Sequence, residues 1–207
     1  MEESTGIFEH ILQQVQAQSF FDWGAVVCAI LYLYLISLEN PWGWGWGIIS
    51  CAFWAYAAYF QYDLYVDAIL QLFYIVISFW GVYQWLKGEK DQEKLMISWL
   101  RTRDHIWLIS TGLLASLIGG WLFETYTQAA APYWDAFTTV FSIITTFLVI
   151  YKKIDNWIYW LLIDSVYVGL YWSRGGYLFS VLFLVYLFIV VKGYFSWRVL
   201  YKQQDVV

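Results

Sequence analysis

Seven long apolar runs, each bounded by charges or by proline and glycine, occupy most of this 207-residue chain. They fall at 23–38, 43–61, 64–86, 105–123, 133–151, 156–173 and 176–196. A helix crosses the hydrocarbon core of a bilayer in about 20 residues. Lipid cannot hydrogen-bond an exposed backbone, so runs of this length dictate helices that satisfy their own amides. The chain is therefore expected to be an all-α integral membrane protein with seven transmembrane helices. Composition agrees: 61% of residues are hydrophobic and 13% charged, where a soluble domain carries roughly 25% charged. The short connections leave no room for a soluble catalytic domain. Ahead of the first run, Ile7, Phe8, Ile11, Leu12 and Val15 share one helical face. That pattern suits a helix lying in the interface; a disordered tail is the alternative. The opening MEESTGIFEH has no positive region and does not read as a cleavable signal peptide.

Lysine and arginine set the expected orientation, because they accumulate on the cytoplasmic side. Seven spans place Lys87, Lys90, Lys94, Arg101, Arg103, Lys152, Lys153, Lys192, Arg198 and Lys202 on one side and Arg174 alone on the other. The N-terminus is thus expected outside and the C-terminus in the cytoplasm, with the protein in the inner (plasma) membrane. A formal charge of −5 and the lack of a basic patch among exposed aromatics argue against a nucleic-acid partner.

An internal repeat organises the spans. Shifted by 112 positions, Tyr65, Leu70, Leu72, Tyr74, Ile77, Gly81 and Trp85 match Tyr177, Leu182, Leu184, Tyr186, Ile189, Gly193 and Trp197 without a gap. The first and second spans match the fifth and sixth weakly. The pattern is three spans, one linker span and three spans, and the extra span makes the two repeats parallel. Parallel repeats place a substrate site at their interface, near the midplane. The expected units are an N-terminal segment (1–22), a first repeat (23–86), a charged cytoplasmic connection (87–104), a linker helix (105–123), a second repeat (133–197) and a cytoplasmic tail (198–207). Gly112, Ser116 and Gly120 form a small-residue stripe on the linker that suits close helix packing.

Ionisable groups inside a span are costly and mark function. Asp164 lies near the middle of the sixth run, while Asp67 and Asp135 open the third and fifth. Trp157, Trp160, Asp164, Tyr167 and Tyr171 follow one another at steps of 3 and 4, and so line one helix face. A carboxylate among π-faces suits a cationic, partly aromatic ligand, since each ring contributes roughly 0.5–2 kcal/mol to a cation. An aromatic packing seam would show the same spacing. The third run repeats the pattern with Asp67, Gln71, Tyr74, Ser78, Gly81 and Trp85. A buried glutamine there donates and accepts at once, as a carboxamide ligand requires. Asp135, Thr139, Ser142 and Thr146 share a face of the fifth run. In the glycine-rich start of the second, Trp46 and then Ser50 are expected to face inward. Aromatics make up 23% of the chain, more than interfacial belts need, so some rings should face an interior site.

Enzyme signatures are missing: there is no H-E-x-x-H, no G-x-S-x-G and no phosphate loop. His10 and His105 lie outside or at the edge of the runs, so no metal, cofactor or catalytic residue is expected. Cys28 and Cys51 lie in apolar runs without a C-x-x-C and are not expected to pair or to do redox work.

The stretches LQLFYIVISFWGVYQW (70–85), PYWDAFTTVFSI (132–143) and DNWIYWLLID (155–164) resemble the PnuC family of nicotinamide riboside transporters, in order and spacing. The resemblance covers most of the chain and is weakest at the N-terminus and in the third connection. Two positions depart from the family pattern: Val82, where an aromatic often follows the glycine, and Asp164, often asparagine in relatives. The resemblance implies a fold like full-length SWEET transporters, a homotrimer with one pathway per protomer, and facilitated diffusion of nicotinamide riboside followed by phosphorylation inside the cell. The substrate-binding candidates are Trp46, Gln71, Tyr74, Ser78, Asp135, Thr139 and Ser142, together with Asn156, Trp157, Trp160, Asp164 and Tyr167. Two other readings stand beside this one: an ion-coupled transporter of a related vitamin or nucleoside, and a seven-span retinal protein anchored at Lys192.

Overall fold

The computed structural model describes residues 6–62, 65–90, 95–127 and 131–204. Among these residues the chain forms α1 (Ile7–Ala17), α2 (Phe20–Ser37), α3 (Trp42–Phe60), α4 (Tyr65–Lys90), α5 (Thr102–Tyr126), α6 (Pro132–Ile150), α7 (Asn156–Ser173) and α8 (Tyr177–Gln204). Every apolar run is helical. The segment before the first is helical too, and α8 continues through the expected tail to Gln204. Five helices are long and apolar enough to cross a membrane on their own: α2, α4, α5, α6 and α8. Glycine, tryptophan and tyrosine dilute the hydropathy of α3 and α7, which are 19 and 18 residues long.

Local chemistry sets several helix ends. Ser19 and Asp22 form a reciprocal capping box at the start of α2, with Ser19 N–H donating to Asp22 Oδ2 at 2.7 Å. Tyr62, just past α3, donates to the same carboxylate oxygen at 2.6 Å. Pro132 opens α6, where a missing N–H costs nothing. The apolar Ile7, Phe8 and Leu12 of α1 are exposed. Gln14 ties this helix to the turn between α7 and α8, donating to Gly175 O at 2.7 Å and accepting from Leu178 N–H at 3.0 Å.

Consecutive helices run up and down, so the bundle has two chemically different ends. The basic end holds the α2–α3 and α6–α7 turns and the C-terminus of α8. The acidic end holds Asp22, Asp67, Glu124 and Asp135. α2 packs on α3 and α8, α3 on α4, α4 on α6, α5 on α6, α6 on α7, and α7 on α8. Half of the α6 span is buried against 17% for α5, so α6 is central and α5 peripheral. The residues that α5 does bury are Gly112, Ser116 and Gly120. A methyl group at Gly112 would strike the Phe141 ring, and one at Gly120 the Tyr133 ring. That small-residue stripe is what lets α5 approach α6.

The repeat has a structural counterpart at the basic end. Trp44 of α3 lies against Gly81 of α4, and Trp157 of α7 lies against Gly193 of α8. Trp85 then donates its indole N–H to Ile150 O at 3.1 Å, while Trp197 donates to Ile36 O at 3.0 Å. The first bond therefore joins α4 to the end of α6, and the second joins α8 to the end of α2. Trp44 and Trp197 are fully buried. Edge-on ring contacts link Trp44 with Trp85 and Trp157 with Trp197. The turns after α2 and α6 each use a residue of positive φ, Glu39 (56°) and Lys152 (49°). These two pair at 2.7 Å, with side chains 14% and 3% exposed. A solid aromatic plug with one buried ion pair closes this end.

Candidate functional site

From the acidic end a cavity of about 900 Å³ enters the bundle between α2, α3, α4, α6, α7 and α8, with Phe123 of α5 at its edge. Asp67 and Gln71 of α4 line it opposite Asp135, Thr138 and Thr139 of α6. Arg174 stands beside Asp135, 3.6 Å from its carboxylate. The α7–α8 wall is aromatic. Phe183, Tyr167 and Tyr171 cluster as three near-parallel rings, with Phe183 4.5 Å from Tyr167 and 5.5 Å from Tyr171. The Tyr167 hydroxyl lies beside the hydroxyls of Thr138 and Ser142.

A second cavity, of about 210 Å³, lies deeper. It shares Ala29, Ser50, Phe183 and Tyr186 with the first, so the two adjoin along one line into the bundle. Tyr74, Ser78, Thr146, Trp160 and Asp164 line it, and Trp44 forms part of its wall at the plug. No lysine or arginine lines either cavity among the described residues. A path of this composition suits a planar, cationic, hydrogen-bonding solute, and Arg174, the cation beside its mouth, is engaged by Asp135.

The helical stripes explain why these groups converge. Steps of 3 and 4 keep a column on one face, and the bilayer turns that face inward because the polar groups have no other partner. The cavities gather Gln71, Tyr74, Ser78, Asp135, Thr139, Trp160, Asp164 and Tyr167 from the sequence-derived set. Ser142 is buried one layer behind, against Tyr167. Three residues lie elsewhere. Trp46 is 37% exposed and lines neither cavity. Trp157 belongs to the plug, stacked edge-on to Trp197. Asn156 is fully buried at the first turn of α7, where its amide donates to Lys153 O.

The structure adds lining residues that sequence reasoning passed over: Tyr32, Trp44, Cys51, Trp54, Phe183 and Tyr186. Tyr186 was findable, being the repeat counterpart of Tyr74; the match of Trp44 with Trp157 emerges only from their contacts with Gly81 and Gly193. Nothing in the sequence distinguishes Cys51 or Trp54 from core residues. Both cysteines are free thiols. Lys192 lies 3.9 Å over the Tyr34 ring on an exposed part of α8, outside both cavities. It has no place in the path from which to anchor a chromophore.

A multi-pass helical bundle, with a largely aromatic and aliphatic path that carries a few polar groups in from one end and stops at a buried plug, has the form of a membrane transporter. The chain belongs to the nicotinamide mononucleotide transporter family, whose match spans residues 19–199. It is 25% identical over 205 residues to the nicotinamide riboside transporter PnuC of Escherichia coli K12, covering 86% of this chain and 85% of the relative. It is 26% identical over 194 residues to the nicotinamide riboside transporter PnuC of Neisseria mucosa, covering 87% of this chain and 73% of that one. The crystal structure of the vitamin B3 transporter PnuC superposes with a TM-score of 0.72 at 21% identity, over 95% of this chain and 90% of that one. At that identity the superposition speaks for the fold.

Proposed function

We propose that this protein carries nicotinamide riboside across the membrane by facilitated diffusion, with phosphorylation inside the cell trapping the product. The observation that carries this reading is the path itself, which has carboxylates and aromatic faces along it and no lysine or arginine among its described lining residues. The riboside is a pyridinium cation with a carboxamide and ribose hydroxyls. Tyr74, Trp160 and Tyr167 offer π-faces to its ring, Gln71 matches its amide, and Ser78 and Thr139 offer hydroxyls to the sugar. Asp164 supplies the opposing charge deep in the path, while Asp135 at the mouth is shared with Arg174. The family description names the mononucleotide, and the two relatives are named for the riboside. A phosphate dianion would lose its hydration in this path, meet carboxylates and find no cationic fork. The path therefore favours the riboside.

The architecture proposed with this function is two parallel three-helix repeats, α2–α4 and α6–α8, joined by α5, with α3 and α7 also crossing the bilayer. The basic end faces the cytoplasm and the N-terminus lies outside. Family resemblance adds a homotrimer with one path per protomer. Counterflow in proteoliposomes tests the function, with pH and sodium first equal on both sides and then imposed as gradients. Exchange of the riboside without any gradient is expected, and the mononucleotide should not exchange. Accumulation driven by either gradient would favour the ion-coupled alternative, and efficient exchange of the mononucleotide would refute the proposed selectivity.

A further inference from the structure

We propose that the inner cavity selects its ligand by positive charge through Asp164, so that it takes the oxidised pyridinium riboside and discriminates against the neutral dihydropyridine form of the same molecule. This rests on the functional reading above and assigns the charge selectivity of that site to one residue.

Three aspartates are buried among the described residues: Asp22, Asp155 and Asp164. The fold provides partners for two of them. Asp22 accepts from Ser19 N–H at 2.7 Å and from the Tyr62 hydroxyl at 2.6 Å. Asp155 accepts from Leu100 N–H at 2.7 Å and pairs with His105 at 3.0 Å. Asp164 is only 3% exposed and lines the inner cavity. Among the described residues it has no hydrogen bond and no ion pair. A buried carboxylate left without a partner costs several kcal/mol, and one aimed into a cavity is placed for a partner that arrives with the ligand.

The repeat separates this from a structural role. Trp44 and Trp157 take matching places against Gly81 and Gly193; seven residues beyond them stand Cys51 and Asp164, and both of the latter line the inner cavity. Equivalent positions thus carry a thiol in one half and a carboxylate in the other, so the packing shared by the two halves does not call for a charge. The remaining lining groups are neutral: Ser50, Tyr74, Ser78 and Thr146 offer hydroxyls, and Trp160 and Tyr186 offer rings. Asp164 is therefore the one carboxyl group among the described residues of this cavity. A cation placed beside it gains Coulomb attraction in a low dielectric and cation–π attraction from the rings. The two-electron-reduced riboside has nearly the same shape and the same amide and hydroxyls, but no charge, and gains neither.

Equilibrium binding to the purified full-length protein, with both forms of the riboside in competition, tests the inference. Wild type should prefer the oxidised form by about tenfold or more. Asp164→Asn, which keeps size and hydrogen bonding, should bring the ratio to within about threefold of unity, mainly by weakening the cation. Asp164→Glu should retain the preference. A wild-type ratio near one, or an unchanged ratio in Asp164→Asn, overturns the inference while leaving transport of the riboside intact. Should wild type bind neither form, the functional reading falls and this inference with it. The wild-type ratio needs no variant to fold.

Discussion

Replacing Gly81 or Gly193 with alanine probes the plug that ends the path. A Cβ built at Gly81 would lie 2.6–2.7 Å from three atoms of the Trp44 ring, and one at Gly193 would lie 2.5–2.7 Å from the Trp157 ring. Ordinary contact needs a further ångström. The rings cannot retreat easily: Trp44 is 0% exposed and Trp157 1% exposed, and each meets another indole edge-on. Over-packing of a filled interior costs about 1–3 kcal/mol. Alanine in a helix recovers up to about 1 kcal/mol over glycine, and that gain must be separated from the clash. Gly45 and Gly169 provide the separation, because a Cβ at either meets nothing within 4 Å. Gly45→Ala and Gly169→Ala should leave thermal unfolding of the detergent-solubilised protein unchanged or slightly raised. Gly81→Ala and Gly193→Ala should fall below those controls by about 1–3 kcal/mol, roughly 2–4 °C for each kcal/mol in a chain of this size. Tryptophan fluorescence during heating reads both unfolding and the indole environment. Midpoints equal to the Gly45→Ala control would show that the rings are not packed as described.

Gln71→Ala and Trp160→Ala should each weaken riboside binding without unfolding the protein; loss of a buried hydrogen bond costs about 1–3 kcal/mol, a several-fold to hundredfold change in dissociation constant. Unchanged affinity in both, measured by calorimetry, would mean that their stripes do not face the ligand. Glu39→Gln or Lys152→Met alone strands a buried charge and should cost about 3–5 kcal/mol, whereas the double variant should cost less than either. Thermal unfolding of the three variants checks this, and additive losses would count against a coupled pair. A cysteine placed at Gln92, which lies outside the described residues, should resist impermeant reagents in intact cells; labelling from outside would reverse the proposed orientation.

Much of the architecture was legible because lipid leaves a chain few choices. An apolar run of about 20 residues must satisfy its backbone internally, so helices α2 to α8 follow from residue order alone. The same constraint makes spacing meaningful: Asp67, Gln71, Tyr74 and Ser78 share a face in any straight helix, and all four line the path. Depth and rotation were decided elsewhere. Trp157 and Trp160 belong to one stripe, yet Trp157 is absorbed into the plug because Gly193 leaves room for its ring, while Trp160 remains at the cavity. Trp44 and Trp46 are two residues apart, about 200° around a helix, so only one can face inward. Gly81 on the neighbouring helix chooses Trp44, and Trp46 is left partly exposed. The partnerless state of Asp164 was equally invisible, because a sequence shows where a carboxylate stands along its own helix but not what the other helices bring to meet it. One-dimensional periodicity determines which face a residue occupies. What fills the space opposite that face is a property of helices far apart in the chain, and only their packing decided it.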